Sequence, residues 1–308
     1  CGVWSKKAFR YRKQERQRVL AAKEYGGRNV LEKRWVFLSE KQNNQDLQAL
    51  SENLRIPKIL ASVLLSRGMG AGEAEGFFSR SKRDIHNPFL LLGMDRAVQR
   101  IQSALEKREK IVAYGDYDVD GITSTAMLCD FLRSQGADVE YYIPSRADEG
   151  YGINIIALSK IKKSGANLLI TVDCGITAVG EVEFAKSIGL DVVITDHHMC
   201  KEKIPRAVAV VNPKQPGCTY PYKELAGVGV CFKLVLATAM QLGGKAGQYF
   251  DRYVDLCAVG TIADVVPLTG ENRIIVHAGL KALAGTKRPG LAALSSIAGI
   301  SEKEPSVT

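Results

Sequence analysis

The sequence predicts an α/β protein: a largely parallel five-stranded sheet with helices on both faces, preceded by a helical N-terminal segment. Three observations predict it. Five short runs rich in Val and Ile stand between turn residues: Ile111–Tyr114, Val139–Ile143, Leu168–Val172, Val192–Thr195 and Ala207–Val211. Their near-continuous apolar character marks strands covered on both faces. Helical stretches alternate with them, at roughly 122–135, 153–163, 177–188 and 227–242, which is the alternation of a parallel sheet. Four of the five runs lead directly into polar, acid-bearing segments. In an open parallel sheet such segments share one edge, where ligands bind.

The elements follow in order. Residues 1–35 read as a basic helix ending in linker. Residues 1–37 hold 11 Lys/Arg and 3 Asp/Glu, whereas the rest of the chain is almost balanced, with 31 and 30. A nucleic-acid contact, an organelle-targeting remnant and a plain solvated helix all suit such an arm. Phe9, Tyr11 and Trp35 in it read as packing residues or base-stacking ones. Residues 36–108 read as helical. Leu47, Leu50, Leu54, Ile56, Ile59, Leu60, Val63 and Leu64 recur at helical spacing, and a further helix is expected over about 94–107. The α/β domain proper is placed at 109–285. After the last strand come helices at about 227–242 and 250–263, then Arg273–Leu283, which begins as a β-rich run and continues as a helical pattern. Residues 286–308 read as a tail.

Composition excludes several classes. With 308 residues, 46% hydrophobic and 24% charged, the chain is long and apolar enough for a sizeable core and is neither disordered nor collagen-like. No run approaches the roughly 18 apolar residues of a membrane span. Seven scattered cysteines without a C-x-x-C pair argue for reduced thiols and against a zinc ribbon.

The acids carry the chemistry. The first run leads into Gly-Asp116-Tyr-Asp118-Val-Asp120-Gly121, the second into Pro-Ser145-Arg146, the third into Asp173-Cys-Gly175 and the fourth into Asp196-His197-His198. Converging carboxylates repel and stay ionised together only when a cation offsets them. Carboxylates with one or two imidazoles suit Mn²⁺ or Mg²⁺. Asp116, Asp118 and Asp120 alternate, so an extended segment aims them the same way. Gly121 is expected to turn the chain into a helix at Ile122–Thr123, whose start, with Thr123, Ser124 and Thr125, offers a phosphate seat. The Asp116–Asp120 segment is not a calcium loop, because loop position 12 is Met127. Asp264 stands in an apolar stretch past a helix, where it is paired, metal-bound or a helix cap.

Together these segments resemble the DHH phosphoesterase superfamily, and within it the RecJ exonuclease subfamily. The motifs are Tyr-Gly-Asp116-Tyr-Asp118-Val-Asp120-Gly121, Ser145-Arg146-Ala-Asp-Glu-Gly150-Tyr151-Gly152, Val172-Asp173-Cys-Gly175 and Asp196-His197-His198. Leu225-Ala-Gly227-Val-Gly229-Val, Gly260-Thr-Ile-Ala-Asp264-Val-Val-Pro-Leu and Gly270-Glu-Asn272-Arg273 follow, so the likeness covers residues 80–283. The resemblance implies a two-metal phosphodiesterase that digests single-stranded DNA from the 5′ end in DNA repair and recombination. It makes Asp116, Asp118, Asp173, His197 and Asp264 ligands of two Mn²⁺ or Mg²⁺ ions, with Asp173 the bridge. Asp120 and His198, in the same motifs, become catalytic residues that ligate metal or contact phosphate, Arg146 holds the phosphate, and Thr123, Ser124, Asn272 and Arg273 are substrate contacts. Many members carry His where this chain has Tyr114. Members also continue into a second domain with a glycine- and histidine-rich motif that is not found here, so residues 286–308 read alternatively as a truncated link to such a domain.

The expected reaction is metal-assisted hydrolysis of a phosphodiester, with no nucleophilic side chain. Single-stranded DNA is the expected partner, with a single-strand-binding protein or helicase beside it and no membrane. Two readings compete. One keeps the site and takes short oligoribonucleotides, cyclic dinucleotides or polyphosphate. The other is a non-catalytic replication or repair scaffold, or an inactive fragment. The compartment reads as cytoplasm for a bacterial chain, and as plastid or mitochondrion if the basic arm is a targeting remnant.

Overall fold

A computed structural model describes residues 43–300, except Asp148 and Tyr151. The basic arm, with Phe9, Tyr11 and Trp35, lies outside the described residues. The described residues divide into two compact units, the first ending at Gly72 and the second beginning at Glu73.

In the first unit, the periodic apolar positions form two helices, α1 (Asn44–Asn53) and α2 (Lys58–Ser66). The Asn43 side chain caps α1 by accepting from the Gln45 N–H. Pro57 interrupts the pattern because the residue before a proline avoids helical geometry, and Arg55 turns the chain with φ +50°. Leu50, Ala61 and Leu64 are buried, while Ile59 and Val63 are exposed. Helix α3 (Ala71–Phe78) spans the boundary between the units.

In the second unit, α4 (Met94–Glu106) buries Met94, Ala97, Val98, Ile101 and Ala104 along one face. Gly93 starts it with φ +84°, and a Cβ there would stand 2.5 Å from the Val210 carbonyl oxygen. The expected strands all form: β1 (Ile111–Gly115), β2 (Val139–Tyr142), β3 (Leu168–Val172), β4 (Asp191–Thr195) and β5 (Ala209–Val211). They pair in parallel in the order β2-β1-β3-β4-β5. Alternate residues serve two cores. Ile111, Ala113, Leu168, Ile170, Val172 and Val193 face one side, and Val112, Leu169, Val192, Ile194 and Val210 the other.

Helices α5 (Val119–Ser134) and α8 (Gly227–Gln241) cover the first face with α4, and α6 (Ile155–Lys163) and α7 (Val179–Ser187) cover the second. Helix α9 (Ala246–Ala263) lies behind α5 and α8, and α10 (Gly270–Leu283) lies against α9. Successive strands leave β1 in opposite directions, to β2 and β3. That reversal makes the carboxyl ends of β1 and β3 the crevice where such sheets bind ligands.

One expectation needs correction. The β-rich start of Arg273–Leu283 is helical from Gly270. Ile274, Ile275 and Val276 are buried, and Gly279 lets α10 close on α9, since a Cβ there would lie 2.2 Å from that of Ala258. Helix packing overrides the local β preference. The tail also contains a helix, α11 (Pro289–Ile297), started by a proline and tied back by Arg288 and Thr286 to Asp255. The sheet-bearing unit begins at Glu73, so α4 lies within it. Among the described residues, no helix is long and apolar enough to cross a membrane.

Candidate metal centre

The crevice beyond β1 and β3 gathers the acids. Asp116 follows β1 directly. The next residues are not the extended segment the alternation suggested, because the helix begins earlier than Ile122. Asp118 is the N-cap of α5 and accepts from the Gly121 N–H at 2.9 Å. Gly121 is required by that turn, as a Cβ would stand 2.5 Å from the Asp116 carbonyl oxygen.

Asp120 lies in the first turn of α5 and points inward. Its two carboxylate oxygens accept from the backbone N–H groups of Gly227 at 2.7 Å and Val228 at 2.6 Å. It therefore clamps the start of α8 to the acidic loop. Burial and the neighbouring Asp173 push its pKa well above the usual carboxylate value.

Asp173 follows β3 with φ +60°. Burial, then repulsion from Asp118, raises its pKa to about 9. Gly227 makes room for it: a Cβ there would lie 2.3 Å from Asp173 Oδ1. Gly227→Ala is expected to force the carboxylate or the start of α8 to move, at a cost of about 1–3 kcal/mol. Thermal melts and Mn²⁺ titration should show a lower Tm and weaker binding. Unchanged Mn²⁺ affinity would mean that the close approach does not set the donor geometry.

The three residues after β4 divide their tasks. Asp196 is fully engaged. Its Oδ1 accepts from the N–H groups of His197 (2.7 Å) and His198 (3.0 Å) and lies 2.7 Å from His198 Nδ1, while Oδ2 accepts from the Ile176 N–H at 2.9 Å. Burial opposes its charge, but these bonds, His198 foremost, hold its pKa below the usual value. The same bond raises the His198 pKa to about 9. With Nδ1 so engaged, Nε2 is the nitrogen His198 can offer a ligand. His197 is buried among carboxylates: its Nε2 lies 3.2 Å from Asp173 Oδ1, 3.6 Å from Asp264 Oδ2 and 4.0 Å from Asp120 Oδ2. Burial lowers its pKa, which keeps the ring neutral and ready to donate a lone pair.

Donor atoms within 4.8 Å of one another form three overlapping groups: Asp116, Asp118 and Asp173; Asp173, His197 and His198; and Asp120, His197 and Asp264. Four buried donor atoms here have no hydrogen-bond partner: Asp173 Oδ1, Asp264 Oδ2 and both ring nitrogens of His197. Buried polar atoms without partners are costly. Mixed oxygen and imidazole donors around them fit a divalent cation such as Mn²⁺ or Mg²⁺. All five expected ligands thus converge, and Asp120 and His198 stand with them.

The other expected residues are placed differently. Arg146 sits in the loop after β2, its guanidinium carbon 5.4 Å from the centre of the Tyr117 ring, beside the acidic loop. Thr123 donates its hydroxyl to Val119 O, and Ser124 is fully buried where Cys231 Sγ approaches its carbonyl. Both lie inside the packing of α5, α8 and α9, so their hydroxyls form no phosphate seat. Asn272 is buried and donates to the carbonyls of Glu224 and Pro267. Arg273 donates to the Phe77 carbonyl and stacks over that ring at 3.8 Å. Tyr114 is buried in the second core with its hydroxyl on the Gly152 carbonyl, away from ligand duty.

Val265 follows Asp264 with φ +58° and is almost wholly exposed. A β-branched residue in that conformation is strained. Val265→Asn is expected to stabilise the chain by about 1 kcal/mol and to raise Tm by about 2–4 °C. A fall in Mn²⁺ affinity in the same variant would show that the strain positions Asp264.

Residues 110–261 match the family model of the DHH family, N-terminal domain. The chain carries a DHH-family N-terminal domain. The chain is 46% identical over 267 residues to the single-stranded-DNA-specific exonuclease RecJ of Bacillus subtilis, a match covering 86% of this chain and 33% of that protein. It is 37% identical to the Escherichia coli RecJ over 254 residues, 79% of this chain and 43% of that protein. The structure of RecJ from Thermus thermophilus in complex with Mn²⁺ superposes with a TM-score of 0.71 at 30% identity, covering 86% of this chain and 37% of that one. A manganese-bound exonuclease RecJ structure gives 0.64 at 38% identity, covering 70% of this chain and 55% of that one. This DHH chain therefore spans between a third and about two fifths of the length of these curated relatives.

Proposed function

We propose that this chain holds two Mn²⁺ or Mg²⁺ ions in the acidic crevice and hydrolyses phosphodiester bonds of single-stranded DNA from the 5′ end, in repair and recombination. The observation that carries the reading is the set of partnerless donor atoms on Asp173, His197 and Asp264 at the sheet crevice. The relatives' names and their Mn²⁺ and Mg²⁺ complexes point the same way. Asp116, Asp118, Asp173, His197 and Asp264 would hold the ions, with His198 adjoining and Asp173, shared by two donor groups, the residue that would serve both. When bound, the ions supply an activated water and offset negative charge at phosphorus.

The chain's residues do the rest. Asp196 fixes the His198 ring and Asp120 fixes the start of α8, so the donors need no rearrangement when charge develops. Arg146, beside the acidic loop, offers a guanidinium fork to a phosphate oxygen. Water adds to phosphorus and the bridging ester oxygen leaves with the electron pair and takes a proton; no enzyme-bound ester forms. A single-strand-binding protein or a helicase is the partner that would present such a strand. The six described cysteines are free, in keeping with a reducing, cytoplasmic setting.

The test is digestion of 5′- and 3′-labelled single-stranded DNA with Mn²⁺ or Mg²⁺. Loss from the 5′ end that disappears on chelation is the expected result. Bound Mn²⁺ without cleavage would contradict the proposal and favour a scaffold.

A further inference from the structure

The α10 surface carries charge that the metal centre does not use. Arg273, His277 and Lys281 recur every four residues of α10 and so share one face, about 12 Å long. Arg80, in the segment after α3, lies close to them. Burial lowers the pKa of His277, and Lys281, Arg80 and Arg273 push it lower still. Arg80 likewise depresses Arg273, behind burial. Among the described residues, Arg80, Arg273 and Lys281 form no ion pair with a carboxylate. Nearby Lys82, by contrast, is paired with Asp251. Arg273 is fixed by Phe77, through its carbonyl and its ring, so the patch is pre-ordered at one end. Cations held together without acids are unfavourable alone and complement a polyanion.

Resting on the nuclease reading above, we infer that this face of α10, with Arg80 beside it, is a phosphate-tracking surface for single-stranded DNA. Its length passes more than one backbone phosphate, and cations that meet phosphates suit sequence-independent contact. Helix α10 follows Asp264 by a short connection, so the surface begins in sequence directly after a metal-centre residue.

The test uses the double variant Arg80→Glu with Lys281→Glu, which leaves Arg273 and every metal-centre residue in place. Binding of a labelled oligothymidylate is followed across a KCl series in EDTA, and cleavage of a thymidine dinucleotide is followed with Mn²⁺. Removing two phosphate contacts is expected to make the slope of log affinity against log salt shallower by about 1.4 and to weaken binding about tenfold or more at low salt. Dinucleotide cleavage should match the parent chain. An unchanged slope with the dinucleotide still cleaved would overturn the surface and leave the nuclease reading standing. A parent chain that cleaves neither the dinucleotide nor labelled single-stranded DNA with Mn²⁺ would overturn the nuclease reading itself. If the double variant keeps its DNA binding but loses affinity for an oligoglutamate peptide, the face serves an acidic protein and the inference fails.

Discussion

Asp173→Asn is expected to lower hydrolysis by about a thousandfold or more and, in the metal-free chain, to raise the melting temperature. The first effect follows from position. Asp173 joins two of the three donor groups, and its Oδ1 makes no hydrogen bond. Losing that charge forfeits about 4 kcal/mol of stabilisation at the reacting phosphate. Mn²⁺ affinity should fall by more than about a hundredfold, because outer-shell substitutions alone cost ten- to a hundredfold.

The second effect follows from repulsion. Folding raises the Asp173 pKa to about 9, against about 3.9 in the unfolded chain. Between those values the folded state keeps a proton that the unfolded state has released, so stability of the metal-free chain falls as pH rises from about 4 to about 9. The Asn variant lacks that slope, and its advantage in Tm should widen with pH. Mn²⁺ competes with the same proton, so parent affinity should rise through the same window. A destabilised Asn variant with parental Mn²⁺ affinity would contradict both halves.

Lys233→Met is expected to be the most destabilising change remote from the metal donors, at about 3–5 kcal/mol. Lys233 is fully buried in α8, donating to Glu271 Oε1 at 2.6 Å and to the His86 carbonyl at 2.8 Å. Burial lowers its pKa and Glu271 opposes that. Glu271, at the start of α10, also accepts from the Tyr220 hydroxyl at 2.6 Å and the His86 N–H at 2.9 Å. The network joins α8, α10 and the segment before α4. Removing the ammonium leaves a buried carboxylate without its counter-charge, and Tm should drop by about 10 °C or more. Adding Glu271→Leu should recover part of the loss, because the pair is costly to break and cheap to remove whole. Mn²⁺ affinity of the folded variant should stay parental. A Tm within a degree or two of the parent would mean that the pair is not buried as described.

The sheet was legible because β1, β3, β4 and β5, all but the edge strand β2, are buried on both faces. Leu, Val and Ile dominate Leu168–Val172 and Val192–Thr195, and acids begin where the strands stop. The same arrangement exposed Asp116, Asp173 and His197 as convergent despite their separation along the chain. Other features depend on contacts that no local pattern records. The alternation of Asp116, Asp118 and Asp120 suggested a common direction. The helix instead starts at Val119, and Asp120 turns to the N–H groups of α8, more than a hundred residues away. Asp196 leads the signature tripeptide yet serves its histidines as a hydrogen-bond acceptor. The Lys233–Glu271 pair left one trace, a lone lysine inside the apolar run Val228–Ala239. Its partner 38 residues on was invisible without the packing of α10. Ile274-Ile275-Val276 read as strand because β-branched residues favour sheets, whereas contact with α9 made them helical.

Counting Mn²⁺ ions bound per chain, by the loss of the free-ion resonance on titration, tests the metal centre most directly. Two ions are predicted for the parent chain, with both sites weakened in Asp173→Asn. Failure to bind Mn²⁺ at millimolar concentration, or binding indifferent to Asp173, would contradict the account.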